Sequence, residues 1–326
     1  MRIWTKAALG LMTGLLMVAC APEPSPQGGG LEGCDPGATQ ACNCENGDSG
    51  ARTCADDGQT WQACTCAAVQ IIQPTKTFPG RLVQWCQGQP EEFSFFVTSM
   101  GAIWALSNSA PDDWSGGFGG DFQGLEGADS ICQLIGIATG HGHKRWRAML
   151  SATDDGQGNP VHAIDRIGEG PWYDANGRLV ATGIEGLLGS RPDGDAASTS
   201  DLPDECGVPL SAIGDSHDIP TGSDQEGRLR STNPESTCHD WTSSDGSVAA
   251  SAGGGREPSP TQLYCGHSFP RRAVGGGARG GEQWLSDHAL RGCGKGANLL
   301  QNGAGEGNCI GCSGGYGGLY CFVEQP

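Results

Sequence analysis

The residues able to do chemistry are few and lie far apart. His141-Gly-His143, with Lys144 and Arg145 beside it, sets two imidazoles at i,i+2. That spacing ligates Zn²⁺ or Cu²⁺ when a third ligand is supplied, and His162, His217 and His239 are unplaced candidates for it. An exposed polar loop accounts for the same residues without an ion. The expectation is therefore no metal, with His141 and His143 as the candidates if one binds. Cys309-Ile-Gly-Cys312 has the spacing of a redox pair, but its Gly-rich flanks lack the strand-to-helix setting that activates such thiols, so a structural bridge is expected. No G-x-S-x-G, H-E-x-x-H, phosphate loop or dinucleotide fingerprint occurs, and no spacing of Asp and Glu selects a carboxylate pair. The chain is read as non-enzymatic, with no catalytic residues and no cofactor.

Sixteen cysteines among 326 residues point to an oxidising compartment, where disulfides persist. The N-terminus points the same way. Met1–Lys6 is basic, and Ala7–Val18 is an apolar run too short to span a bilayer. Met17-Val-Ala-Cys20 follows, then Ala-Pro-Glu-Pro-Ser-Pro. This resembles the lipobox of bacterial lipoproteins, which implies a signal peptide over residues 1–19 and lipidation of Cys20. Ala21, in place of Asp, favours the outer membrane of a Gram-negative bacterium, at the cell surface or facing the periplasm. Residues 20–33 read as a Pro/Gly tether, and several acyl chains suffice for stable anchoring. The formal net charge of −18 repels nucleic acid and anionic headgroups. The lipid anchor is therefore the expected membrane contact, and nucleic acid is excluded as a partner.

Residues 34–66 hold six cysteines, Cys34, Cys42, Cys44, Cys54, Cys64 and Cys66, with hairpin-turn signals at Asn46-Gly47 and Asp57-Gly58. The even count and the lack of a large core imply three disulfides, and the absence of His argues against a zinc knuckle. Arg52, Thr53, Cys54, Asp57, Gly58, Trp61 and Cys64 resemble a short cysteine-rich repeat found in surface proteins of some Gram-negative bacteria. A stalk or spacer is expected here, followed by a connector over 67–92 that carries Cys86, its partner open.

Hydrophobic content of only 37% with 56 glycines implies a real core diluted by long irregular loops. Phe93–Ser99 alternates as a half-buried strand does. Leu125, Ala128, Cys132 and Ile135 fall on one face of a helix, with Ile131 beside them, that Gly136 or Gly140 stops. Trp146–Leu150 alternates again, and Gly170–Val180 forms a hairpin around Asn176-Gly177. Ser190–Gly207 is a polar loop. Ala249–Gly281 and Gly292–Gly318 read as irregular, with a short strand at Gln283–Leu285 between them and a closing strand at Leu319–Val323.

Several of these pieces resemble one family in order: Phe95-Phe-Val-Thr-Ser99, Gly124-Leu-Glu-Gly-Ala-Asp-Ser-Ile-Cys132, Trp146-Arg-Ala-Met-Leu-Ser151, the hairpin from Gly170 to Ala181, Cys238-His-Asp-Trp-Thr-Ser243 and Leu319-Tyr-Cys-Phe322. Residues 93–326 are similar to a bacterial lectin-like domain of unknown function, frequent in lipoproteins and akin to C-type lectin-like and endostatin-like folds. The resemblance implies an α+β fold with a mainly antiparallel sheet, one or two helices and long loops. It implies a bridge from Cys132 to Cys321, and a second from Cys238 to a cysteine in the C-terminal loops, Cys293 being first choice. Cys309 and Cys312 pair with each other or with Cys206 or Cys265, and one cysteine is left over. Calcium-dependent sugar binding needs an E-P-N or Q-P-D loop and a W-N-D strand. Glu257-Pro258-Ser259 and Asp240-Trp241-Thr242 depart from both, so that calcium site is not expected, and Trp241 reads as core with Asp240 capping a turn. The function implied is a non-catalytic binding module for glycan or protein, with recognition in the loops between Ser190 and Gly318. A purely structural envelope role is the alternative, and a metal-dependent enzyme built on His141 and His143 the third reading.

Overall fold

The computed structural model describes residues 34–43, 49–65, 70–82, 86–250, 259–271, 282–300 and 307–325. The signal peptide, Cys20 and the tether lie outside the described residues, as do Cys44, Cys66, Glu257 and Pro258. The chain divides into two units, Met1–Ala68 and Val69–Pro326.

In the smaller unit, β1 (Thr39–Asn43) pairs antiparallel with β2 (Ser49–Thr53). Among its described residues Cys54 is the one buried apolar side chain, so covalent bridges stand in for a core. Cys34 is bonded to Cys54 and Cys42 to Cys64. The Asp57-Gly58 turn forms as its chemistry requires: the Asp57 carboxylate accepts from the amides of Gln59 and Thr60 and from the Thr60 hydroxyl.

The larger unit is a mixed α/β structure of small, mostly antiparallel sheets. In chain order it contains β3 (Phe95–Val97), α1 (Met100–Ser107), α2 (Gly124–Ala138), β4 (Trp146–Ala148), β5 (Trp172–Tyr173), β6 (Leu179–Ala181), β7 (Asp218–Pro220), β8 (Tyr264–His267), β9 (His288–Ala289), β10 (Gly294–Ala297), β11 (Cys309–Gly311) and β12 (Tyr320–Val323). The closing strand β12 lies between β3 and β4, antiparallel to both. Sheet β7-β8-β9 is antiparallel throughout, whereas β10 and β11 pair in parallel.

Helix α2 shows why its sequence reads G-A-D-S-I-C. Ala128, Ile131, Cys132 and Ile135 are buried against the core. Asp129 accepts from the Ala148 amide of β4 at 2.9 Å and from Arg147 and Arg166 at 2.8 Å, which locks helix to sheet. At Gly136 a Cβ would sit 2.3 Å from the Trp146 indole nitrogen, so glycine lets that ring lie flat on the helix. The helix ends past this glycine, at Ala138, just before Gly140 with its positive φ.

Several sequence expectations need correction. The Phe93–Ser99 strand is buried on both faces: the polar positions Ser94 and Thr98 are as sealed as the phenylalanines, because their hydroxyls accept from the amides of Tyr173 and Leu319. Helix α1 was not expected. Its residues are apolar on nearly every side, which erases the periodic signal, but Ser99 caps it by accepting from the Ala102 amide. The strand expected at Gln283–Leu285 lies at His288–Ala289 instead. Trp284 is a buried anchor whose amide donates to Ser190 and whose indole donates to the Leu187 carbonyl. The Gly-rich runs expected to be irregular contain β8, β10 and β11. The stretch expected as a connector lies with the larger unit from Val69 onward; the amides of Thr75 and Lys76 donate to Ser130 on α2.

Four bridges tie this unit. Cys132 is joined to Cys321, Cys238 to Cys293, Cys309 to Cys312, and Cys86 to Cys206. The Cys132–Cys321 bond spans 189 residues, so chain-entropy reasoning assigns it about 5 kcal/mol. The Cys132→Ser, Cys321→Ser double variant is expected to lose about that much in urea unfolding. A loss below about 1 kcal/mol would show that the bond does not govern stability.

Glu205 gives a second prediction. Its carboxylate is fully buried and accepts from the amide and hydroxyl of Ser99 at the start of α1. Burial, then the charge of Asp204, pushes its pKa up from 4.5 to about 7. Between those values the native state keeps a proton that the unfolded chain releases, so stability falls as pH rises through the window, by at most about 1.4 kcal/mol per unit. Denaturant melts of wild type and Glu205→Gln from pH 4 to 8 should converge in slope outside the window. Inside it, the variant's slope should be shallower.

Candidate metal centre

Strand register assembles a group of side chains that lie far apart in sequence. Across β7 and β8 Asp218 faces His267, and across β8 and β9 Cys265 faces His288. Cross-strand partners share a sheet face, and so do residues i and i+2. Asp218, Cys265, His267 and His288 therefore stand on one face of this three-stranded sheet. His217 joins from just before β7. Its carbonyl accepts from the Ser268 amide, and Gly314 lies so close to the ring that a Cβ there would be 2.4 Å from His217 Cε1.

Asp218 Oδ1 lies 3.1 Å from His217 Nε2, 3.3 Å from His267 Nε2 and 3.1 Å from His288 Nε2. One ligand atom from each of the four residues falls within 4.8 Å of all the others. Donors bound to one tetrahedral ion at 2.0–2.1 Å are separated by about 3.3 Å, so these three edges have the length an ion requires. The same contacts are ion pairs where an imidazole is protonated. Asp218 has no solvent exposure, and neither of its oxygens has a hydrogen-bond partner; His267 Nε2 has none either. A buried carboxylate with no donor is costly unless a cation faces it. Burial pushes the Asp218 carboxyl upward, but the charges of His288 and His217 outweigh that and hold it well below the usual carboxylate range. Burial pushes His267 down, towards the neutral imidazole a metal needs; burial lowers His288 too, but Cys265 and Asp218 outweigh it and hold that ring well above its usual value, so an ion must displace its proton.

The outer contacts have the form of a second ligand shell. His217 Nδ1 is 2.9 Å from Asp215 Oδ1, and Arg271 Nε is 3.1 Å from the same oxygen. His288 Nδ1 is 3.1 Å from the Ala289 carbonyl. Such partners set the tautomer and aim Nε2 at the ion. The side chains of His217 and His267 are buried, whereas that of His288 is 37% exposed, so the centre meets solvent on the His288 side. Cys265 is buried at the rim, its Sγ 3.7 Å from His288 Nδ1 and 4.0 Å from Nε2, and it is in no disulfide. Burial, with Asp218 adding to it, pushes this thiol up to about 12.

The histidines singled out from sequence spacing are placed differently. His141 is buried, with Nδ1 3.2 Å from the Thr139 carbonyl and Nε2 3.1 Å from the Pro90 carbonyl, so both ring nitrogens face backbone oxygens. His143 stands 3.4 Å from Glu91, and the two rings are 6.1 Å apart. His162 Nδ1 accepts from the Leu229 amide, and His239 lies in a positive-φ turn. Of the five histidines considered, only His217 reaches the cluster, and it does so without His141 or His143. That candidate pair is corrected accordingly. His267 and His288 were not singled out at all. The available signal was local: His217-Asp218, Cys265-Gly-His267 and Asp287-His288 each place a ligand type beside a histidine. Trp241 is buried with its indole donating to the Ser151 carbonyl, and Asp240 accepts from Thr153 and Thr237, consistent with core and turn-capping roles.

Comparison with models of known families, with curated proteins and with solved structures finds no match for this chain.

The Asp215–His217 contact is testable by itself. Asp215→Asn, which keeps the shape and loses the charge, should weaken Zn²⁺ binding 10- to 100-fold in competition with a chromophoric chelator. Unchanged affinity would remove Asp215 from the second shell.

Proposed function

We propose that this chain is a lipid-anchored envelope protein whose larger unit is a non-catalytic, lectin-like binding module with a transition-metal ion, of the Zn²⁺ type, built into its recognition side. The observation that carries the metal is Asp218, fully buried and ringed by three imidazole nitrogens at 3.1–3.3 Å. Three His nitrogens and one carboxylate oxygen fill a tetrahedron. A filled tetrahedron is the arrangement of an ion that holds structure, whereas catalytic zinc keeps a position open. The metal would be held by His217, Asp218, His267 and His288, and not by the residues first considered.

The lectin-like part of the reading rests on the ordered motifs, and it is supported by the mixed, mostly antiparallel architecture and by the long loops. The four ligands all fall between Ser190 and Gly318, the region expected to carry recognition. An ion there would fix β7, β8 and β9 relative to one another, which matters most where neighbouring stretches are Gly-rich and pack few side chains. Lipidation at Cys20 and display at the outer membrane rest on the lipobox-like N-terminus.

Elemental analysis of the full, oxidised chain is expected to give one transition-metal ion per molecule. Stripping it with a chelator should lower the melting temperature, and Zn²⁺ at 100 times its Kd should restore about 2.7 kcal/mol. No stoichiometric ion, together with a melting temperature indifferent to Zn²⁺, would remove the metal from this proposal.

A further inference from the structure

The geometry points to Cys265 as a sulfur ligand that adapts this centre to thiophilic ions such as Cu⁺ and Cd²⁺; this rests on the metal-centre reading above. Cys265 is set in the same framework as the ligands. It lies two residues before His267 on β8 and directly across from His288 on β9, so it stands on their sheet face by register and not by chance approach of a loop.

The distances suit an alternative fourth donor. Sulfur and nitrogen bound to one tetrahedral ion, at about 2.3 Å and 2.05 Å, are separated by about 3.6 Å. Cys265 Sγ is 4.0 Å from His288 Nε2, the nitrogen that also lies 3.1 Å from Asp218. Sγ is 3.7 Å from His288 Nδ1 and lies outside the set of four mutually close ligand atoms, so coordination requires the Cys265 side chain to turn from the His288 carbonyl towards Nε2, with His288 as the shared pivot. Asp218 and Cys265 then offer the ion a choice, a carboxylate oxygen for a borderline ion and a thiolate for a soft one. Ligand softness is the main lever by which a site of fixed shape discriminates among metals. On binding, the S–H bond breaks, the proton leaves to solvent and the sulfur donates its electron pair to the ion, with no change of oxidation state.

Among the described residues every other cysteine is in a disulfide. Cys265 is shielded from that fate by burial. In metal-free protein it behaves as a small apolar residue, its thiol directed at the His288 carbonyl at 3.4 Å.

The test uses the full chain with disulfides intact and no reductant, titrated with Cd²⁺ and separately with Zn²⁺. Wild type loaded with Cd²⁺ should show a sulfur-to-metal charge-transfer band in the ultraviolet. Cys265→Ser and Cys265→Ala should both lose the band and at least tenfold in Cd²⁺ affinity, while Zn²⁺ affinity stays within about threefold, the resolution of such competition assays. Retained Zn²⁺ binding also certifies that the variants fold. Cd²⁺ affinity and spectrum unchanged in both variants would overturn the role of Cys265 and leave the histidine–carboxylate centre standing. Failure of wild type to bind either ion would instead sink the centre itself, and the sulfur ligand with it.

Discussion

Strand β12 is hydrogen-bonded on both sides, to β3 from the start of the larger unit and to β4 from its middle, and Cys321 within it is bonded to Cys132 on α2. The first, middle and last parts of the unit therefore meet at four residues. Around them pack the largest buried rings, with Phe322 against Phe95, Trp172 and Trp284, and Tyr320 against Trp284. A strand in this position must be apolar on both faces and short. Once it is in place, everything between α2 and β12 is a closed loop, and the intervening chain can carry long irregular stretches without its ends separating.

That closure explains how a chain so rich in glycine holds a defined shape. The intervening loop is pinned at further points by Cys238–Cys293, Cys309–Cys312 and Cys86–Cys206, and by single buried anchors such as Trp241 and Trp284. Some carboxylates buried along the way are bound by partners distant in sequence. Asp129 binds two arginines and an amide, and Glu205 binds Ser99. Asp218 is as deep as any of them and faces three imidazoles in place of arginines or amides. That setting is what the proposed ion on the β7-β8-β9 face would answer.

Two kinds of cross-link thus divide the larger unit. Disulfides fasten the scaffold and its main loops covalently, while the proposed ion would fasten three short strands reversibly, with an occupancy that follows the supply of metal. The partly exposed edge of His288 makes exchange feasible without unfolding.

The chain by itself determined the anchors of this architecture. The helical spacing of Ala128, Cys132 and Ile135, the alternation in Trp146–Ala148, the Asn176-Gly177 turn and the apolar closing strand are legible because each shows its signal within a few consecutive residues, although the partners that complete it are distant. Helix α1 was hidden because a helix buried nearly all round has no polar face to mark its period. Strands β8 and β9 were hidden because Tyr264-Cys-Gly-His267 and His288-Ala289 are short, and they are strands only because β7 pairs with β8 and β8 with β9. The metal centre was hidden for the same reason. His217, His267 and His288 are separated by stretches that no spacing rule spans, whereas His141 and His143 are close in sequence and turned towards backbone carbonyls. Proximity along the chain pointed to His141 and His143, which face backbone carbonyls and Glu91. Strand register, which is fixed only when the sheet forms, brings the others to within 3.3 Å of one buried carboxylate.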